Sequence, residues 1–223
     1  VTCLAAPSDG SFLMSGSADQ EIHTYDFRKI HRKSLRSTHS FEPEAPQGVV
    51  SLEMNPHAKC GVFDSARGYD TSNIALVATN GHYASLFFSG TARKPGSRIV
   101  DFKRGYPFLV NLQDTEGHVG AVVSARWNPR ISGRCLTASI DGTVRTWDIE
   151  RCTDKNIAIF HVFQKGEVRR RIAVRKAIYN REGDHIVIAD DGSLRIWAHS
   201  YSSTSKPDMC MQVHTPRESL QGE

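Results

Sequence analysis

A chain of 223 residues is long enough for one sizeable core or two small ones. Hydrophobic residues at 39% and charged residues at 23% fit a globular protein, and a net charge of +4 is too small by itself to mark a nucleic-acid binder. The five cysteines (Cys3, Cys60, Cys135, Cys152 and Cys210) are odd in number and never spaced C-x-x-C. That argues against a disulfide framework or a zinc site and for a reducing intracellular compartment. No apolar run reaches the roughly 18 residues of a membrane span, and no signal peptide is legible. The chain starts at Val1 inside strand-like sequence, so part of a longer protein is expected.

In chain order, residues 1–48 form a first unit. "VTCLAAPSDGSFLMSGS" reads as strand, polar turn, strand, and "SADQEIHTYDF" (17–27) adds an acidic turn with Ser17, Asp19 and Tyr25 as landmarks. A basic stretch follows, with Arg28, Lys29, Arg32 and Lys33. The second unit, 49–110, has "VVSLEMNP", "NIALVAT" and a weaker turn, "ATNGHYASLFF" (78–88). There Asn80 stands for the Asp and Leu86 for the aromatic, and 98–102 is the expected outer strand.

The third unit, 111–165, has "VSARWNPRISGRCLTAS", then "SIDGTVRTWDI" (139–149), then an expected outer strand at 157–163. The fourth, 166–214, is preceded and opened by basic sequence carrying Lys165, Arg169, Arg170, Arg171, Arg175 and Lys176. It continues through "RKAIYNREGDHIVIA" and "ADDGSLRIWAH" (189–199), with Asp191 and Trp197, to an outer strand at 209–214. Residues 215–223 form a polar tail. Almost nothing has the period of a long amphipathic helix.

Asp19, Asp141 and Asp191 each precede an aromatic (Tyr25, Trp147, Trp197) by six residues. Short antiparallel strands repeating with an Asp turn and a Trp resemble the WD repeat of β-propellers. The fold class expected is therefore all-β: a WD-repeat propeller with about four blades, part of a larger ring. The third unit carries the full signature, Gly117-His118, Ser139, Asp141 and Trp147-Asp148. The resemblance implies that His118, Ser139, Asp141 and Trp147 form one hydrogen-bonded network that locks the blade.

The ordered landmarks "GYPFLVNLQDTEGH…RWNP…TASIDGTVRTWD" are more specific. With the opening and closing segments they resemble the WD repeat-containing protein 70 family over nearly the whole chain. That resemblance implies a non-catalytic nuclear scaffold. It implies a substrate-receptor-type subunit of a cullin-RING ubiquitin ligase, histone monoubiquitination near DNA breaks, and spliceosome-associated complexes. Tyr25-Asp26-Phe27-Arg28 resembles the Trp-Asp-x-Arg strand end that contacts the ligase adaptor in such proteins, making Asp26 and Arg28 docking candidates. Arg28 reads equally as a strand end on a basic loop.

No phosphate-binding loop, H-E-x-x-H or G-x-S-x-G is present, so no enzyme, cofactor or metal site is expected. The two basic stretches read either as solvated loop charge or as contacts to an anionic partner, a phosphate backbone or an acidic protein. They lack interleaved aromatics, which disfavours sequence-specific readout of bases. A direct RNA- or chromatin-binding component of a ribonucleoprotein is the alternative to a protein scaffold.

Overall fold

A computed structural model describes residues 1–7, 10, 12–27, 39–41, 48–57, 74–88, 109–112, 117–149, 152–162, 170–198 and 209–214. Among the described residues, sixteen strands form four four-stranded antiparallel sheets. The first sheet holds β1 (Cys3–Ala5), β2 (Phe12–Gly16), β3 (Ile22–Asp26) and β4 (His39–Phe41). The second holds β5 (Val49–Met54), β6 (Ile74–Thr79), β7 (Ala84–Phe88) and β8 (Leu109–Leu112). The third holds β9 (Val122–Trp127), β10 (Arg134–Ser139), β11 (Thr143–Asp148) and β12 (Cys152–His161). The fourth holds β13 (Val174–Tyr179), β14 (His185–Asp190), β15 (Ser193–Ala198) and β16 (Met209–His214). Within each sheet the strands follow chain order, so each is a meander and its first and last strands are its two edges. The segment 98–102, expected as the second unit's outer strand, lies outside the described residues, and β8 takes that place beside β7.

The sheets stack like blades. Inner strand β5 packs against β1, β9 against β5, and β13 against β9. Both faces of a middle blade are therefore buried, which is why β6 and β11 are buried along their whole length. In the third blade the face bearing Ala125, Trp127, Cys135 and Trp147 meets the second blade, in one cluster with Ile74, Leu76 and Leu86. Its opposite face, with Leu136, Ala138, Val144 and Phe160, meets Ala177, Ile186 and Ile188 of the fourth. Met14 and Ile22 of the first blade pack on Val49, Leu52 and Val77 of the second. The fourth blade's other face carries Ile178, Leu194, Met211 and Val213, each at least 40% exposed.

A bulge recurs at the start of three inner strands. Register slips past Val50, Val123 and Arg175, directly after the buried Val49, Val122 and Val174. Such a bulge twists the strand sharply at that end.

Side-chain stitches repeat from blade to blade. The hydroxyl of Ser51 donates to the carbonyl of Ala125, at 3.3 Å, and that of Ser124 to the carbonyl of Ala177, at 3.1 Å. Ser51 and Ser124 hold the same strand position, as do Ala125 and Ala177. At the other end of the inner strands, Trp127 donates its backbone N–H to the Glu53 carboxylate (2.6 Å) and its indole N–H to the Glu53 carbonyl (3.1 Å). Asn128 donates to the Gly183 carbonyl at 2.8 Å, while its own carbonyl lies 3.0 Å from His57 Nε2. Gly183 has φ +74, and a Cβ there would stand 2.4 Å from Asn128 Oδ1, so the contact requires glycine.

Candidate functional site

The loops that join β10 to β11 and the segments that lead into the inner strands lie at the same end of the blades. In the third blade this end is held by a directed chain of hydrogen bonds. Trp147, 1% exposed, donates its indole N–H to the Thr137 hydroxyl at 2.9 Å, and Thr137 lies 2.8 Å from His118 Nε2. His118 Nδ1 lies 3.2 Å from Asp141 Oδ2 and 3.1 Å from the Thr143 hydroxyl. Asp141 also accepts the backbone N–H of Val119 (2.9 Å) and both the N–H (2.8 Å) and the hydroxyl (2.6 Å) of Thr143.

Burial pushes the His118 pKa down against the opposing pull of Asp141, so the ring is neutral. Burial works to raise the Asp141 carboxyl, but the donors from His118, Thr143 and Val119 outweigh it and hold it well below the usual carboxylate range. A neutral His118 that donates from Nδ1 must accept at Nε2, which sets the Thr137 hydroxyl as donor to the ring and acceptor from Trp147. The polar side-chain atoms of this relay, from Trp147 to Asp141, are thereby all satisfied.

The network differs from the expected one in its middle. His118, Asp141 and Trp147 meet, but the hydroxyl between them belongs to Thr137, not Ser139. Ser139 instead donates to the Gly120 carbonyl at 2.9 Å and accepts the N–H of Asp141 at 3.1 Å, closing the hairpin turn. Thr137 lies on the same strand face two residues earlier, a spacing of 2 that would have flagged it.

That hydroxyl-closed turn is shared by the first three blades. Asp19 N–H points to Ser17 Oγ at 3.5 Å, and Gly81 N–H to Thr79 Oγ1 at 3.2 Å. In the fourth blade the Asp190 carboxylate takes the hydroxyl's place, accepting Gly192 N–H at 3.1 Å and Ser193 N–H at 2.9 Å. Asp191, the expected landmark, is outside this turn; it is exposed and pairs with Arg175 at 2.5 Å. The reason is a shorter hairpin. Ala138 pairs with Val144, whereas Ala189 pairs with Leu194, so the fourth blade has one residue fewer between the same strand positions. Asp190 therefore falls at the Ser139 position and binds the buried Arg195 at 2.7 Å. Trp197 does not join a network: its indole N–H has no partner among the described residues, and its ring meets Phe160 edge-on at 5.7 Å.

The first blade lacks a histidine relay among its described residues. Asp19 is exposed and accepts Glu21 N–H at 3.1 Å, and Tyr25 is half-buried beside His23, with ring centroids 6.3 Å apart. In the second blade strand register shifts the repeat by one. Phe87, not Leu86, stands at the Trp147 position, and Gly81, not Asn80, at the Asp141 position.

The matching family model is the WD domain, G-beta repeat, at residues 1–26 and 110–148. These are WD repeats. WD repeat-containing protein 70 of Xenopus tropicalis is 26% identical over 217 residues, covering 97% of this chain and 31% of that protein. The human protein of that name is 23% identical over 198 residues, covering 88% and 27%. The gastrulation defective protein 1 homolog of Drosophila melanogaster is 24% identical over the same shares. The chain thus spans between 27% and 31% of the length of these curated relatives. Among solved structures, the WD40 domain of Toxoplasma gondii coronin superposes with a TM-score of 0.61 at 16% identity, covering 94% of this chain and 44% of that one. A chain of the mitotic checkpoint complex gives 0.63 at 15%, covering 96% and 53%.

A WD propeller displays loops on stacked sheets. The structure disperses the basic candidates of this one. Arg28, Lys29, Arg32, Lys33, Lys165 and Arg169 lie outside the described residues, and of Asp26 only the backbone, at the end of β3, is described. Arg170 and Arg171 are exposed and have no acidic partner among the described residues, Arg175 is neutralised by Asp191, and Lys176 stands exposed on β13. No group of three or more His, Cys, Asp or Glu could hold a metal among the described residues. No helix there is long and apolar enough to cross a membrane.

Proposed function

We propose that this chain is the propeller part of a non-catalytic nuclear scaffold. In this reading it is a substrate-receptor-type subunit of a cullin-RING ubiquitin ligase and acts in histone monoubiquitination at double-strand breaks. The observation that carries the reading is similarity to WD repeat-containing protein 70 across 88–97% of the chain. The first WD repeat, which ends in Tyr25-Asp26-Phe27-Arg28, supplies the adaptor contact, with Arg28 as the residue that makes it. The apolar outer face of the fourth blade is where a further blade of a larger ring stacks.

The test is affinity purification of the full-length protein from nuclear extract beside an Arg28→Ala variant. The expected result is recovery of ligase adaptor by the wild type and its loss in the variant, with melting temperature unchanged. Equal recovery by both removes Arg28 from the interface. The exposed Arg170 and Arg171 favour a second reading, a ribonucleoprotein component that binds RNA through its basic loops. In that case the wild type retains single-stranded RNA and releases it steeply with salt.

A further inference from the structure

The turn 140–142 of the third blade is clasped from both sides. On one side Val119, Gly120 and Ala121 run along it: Ile140 N–H donates to the Ala121 carbonyl at 3.1 Å, and a Cβ on Gly120 would stand 2.8 Å from Ile140 Cγ1. On the other side Gly142, at φ +79, lies under Arg171: a Cβ on it would stand 2.9 Å from both Arg171 Cβ and the Ile172 carbonyl. The side chains of Val119, Ile140 and Arg171 are thus brought to one hairpin tip, with Arg170 next to Arg171 in the chain. Val119 is 77% exposed, Ile140 is 46% exposed, and Arg170 and Arg171 are both exposed.

Among the described residues, the acid of this turn is withdrawn from the surface. The Asp141 side chain is 7% exposed and turned inward, where His118, Val119 and Thr143 take up its oxygens. Burial, then Arg171 and Arg145, push the His161 pKa down, with Asp141 pulling the other way. His82, on the neighbouring hairpin of the second blade, is also exposed.

We propose that this tip is a docking site for an acidic protein segment bearing one aliphatic side chain. The aliphatic group covers Val119 and Ile140, and flanking Asp or Glu residues pair with Arg170 and Arg171. Two branched aliphatic side chains offer no stacking platform, which favours such a peptide over nucleic acid. The turn needs no ordering on binding, because the buried relay through His118, Thr137 and Trp147 already fixes it. This inference deepens the scaffold reading and rests on it.

The test uses the full-length protein on an array of random-sequence dodecapeptides, with a uridine 20-mer RNA beside it. Wild type is expected to select peptides with Leu, Ile, Val or Met flanked by Asp or Glu. Val119→Ser and Arg171→Glu, both surface changes that leave the melting temperature in place, are each expected to weaken the best peptide at least tenfold. Selection without acidic-aliphatic enrichment, no selection, or equal binding by both variants overturns the proposal. RNA binding that falls with Arg171→Glu and ignores Val119→Ser replaces it with a nucleic-acid site. If nuclear protein partners are still recovered while the array result fails, only this site is lost; if none are recovered, the scaffold reading itself fails.

Discussion

The third and fourth blades do the same job at the same end with different chemistry. Each must fix a hairpin and satisfy its donors. The third uses a neutral relay, Trp147 to Thr137 to His118 to Asp141, with a Ser-closed turn. The fourth is one residue shorter there, puts a carboxylate at the Ser position, and ties it to a guanidinium, Asp190 to Arg195. The tryptophan survives in both, but among the described residues Trp147 alone of the two has an indole hydrogen bond; Trp197 acts by packing. The comparison teaches that a repeat preserves the role of a turn, and that the residue filling it follows from hairpin length.

The largest expected effect comes from breaking the ionic version. Asp190→Ala leaves the Arg195 charge buried and uncompensated, and should cost about 3–5 kcal/mol in urea unfolding of the full-length protein. The double change Asp190→Ala with Arg195→Leu should recover most of that. If the single change is silent, the fourth hairpin does not depend on its ion pair and the comparison collapses.

Thr137→Val in the third blade removes one hydroxyl but orphans two buried groups, the Trp147 indole N–H and His118 Nε2. A loss of about 2–3 kcal/mol is expected, against less than about 1 kcal/mol for Ser139→Ala at the turn. A larger loss at Ser139 would return the relay to the arrangement expected from the sequence.

The relay should also be felt as acid sensitivity. His118 has a folded-state pKa below its ordinary value of 6.5, so below about that pH the unfolded chain binds more protons than the fold. Stability present above pH 6.5 is lost as pH falls toward the folded-state value. In His118→Gln, the decline of the urea midpoint between pH 7 and pH 5 should be shallower. His161, pushed down by burial and then by Arg171 and Arg145, supplies a slope that remains in the variant.

The smallest effect belongs to the first blade. Gln20 sits at φ +78 in the place where the third blade has Gly142 at φ +79. Gln20→Gly should relieve a left-handed side-chain strain and raise stability by about 0.5–1 kcal/mol, read as a small rise in melting temperature.

Strand order, the acidic turns and the histidine-bearing third unit were legible in the sequence, because strand alternation and Asp-to-Trp spacing are local signals. What was not legible depended on pairing across strands. Counting six residues back from Trp197 lands on Asp191, yet pairing of Ala189 with Leu194 gives the turn to Asp190. Aligning "ATNGHYASLFF" by its Asn misplaced the second copy by one, which the pairing of Ala75 with Phe87 corrects. Thr137 was missed because it carries no repeat landmark, only a position on the face where Trp147 and His118 meet. The basic run from Arg170 to Lys176 looked like one patch, and the bulge at Arg175 divides it by turning that residue to Asp191.

The serine stitches have a direction in time as well as in space. Ser51 donates to a carbonyl 74 residues downstream, and Ser124 to one 53 residues downstream. At about 5–20 residues per second of synthesis, the first hydroxyl waits roughly 4–15 s for its acceptor and the second roughly 3–11 s. The second and third blades therefore each leave the ribosome with one bare face and one unclaimed donor, and both are met only when the next blade emerges. A pause in translation between two blades lengthens that exposure, so codon choice between residues 57 and 122 bears on whether the nascent second blade is met by its neighbour or by a chaperone.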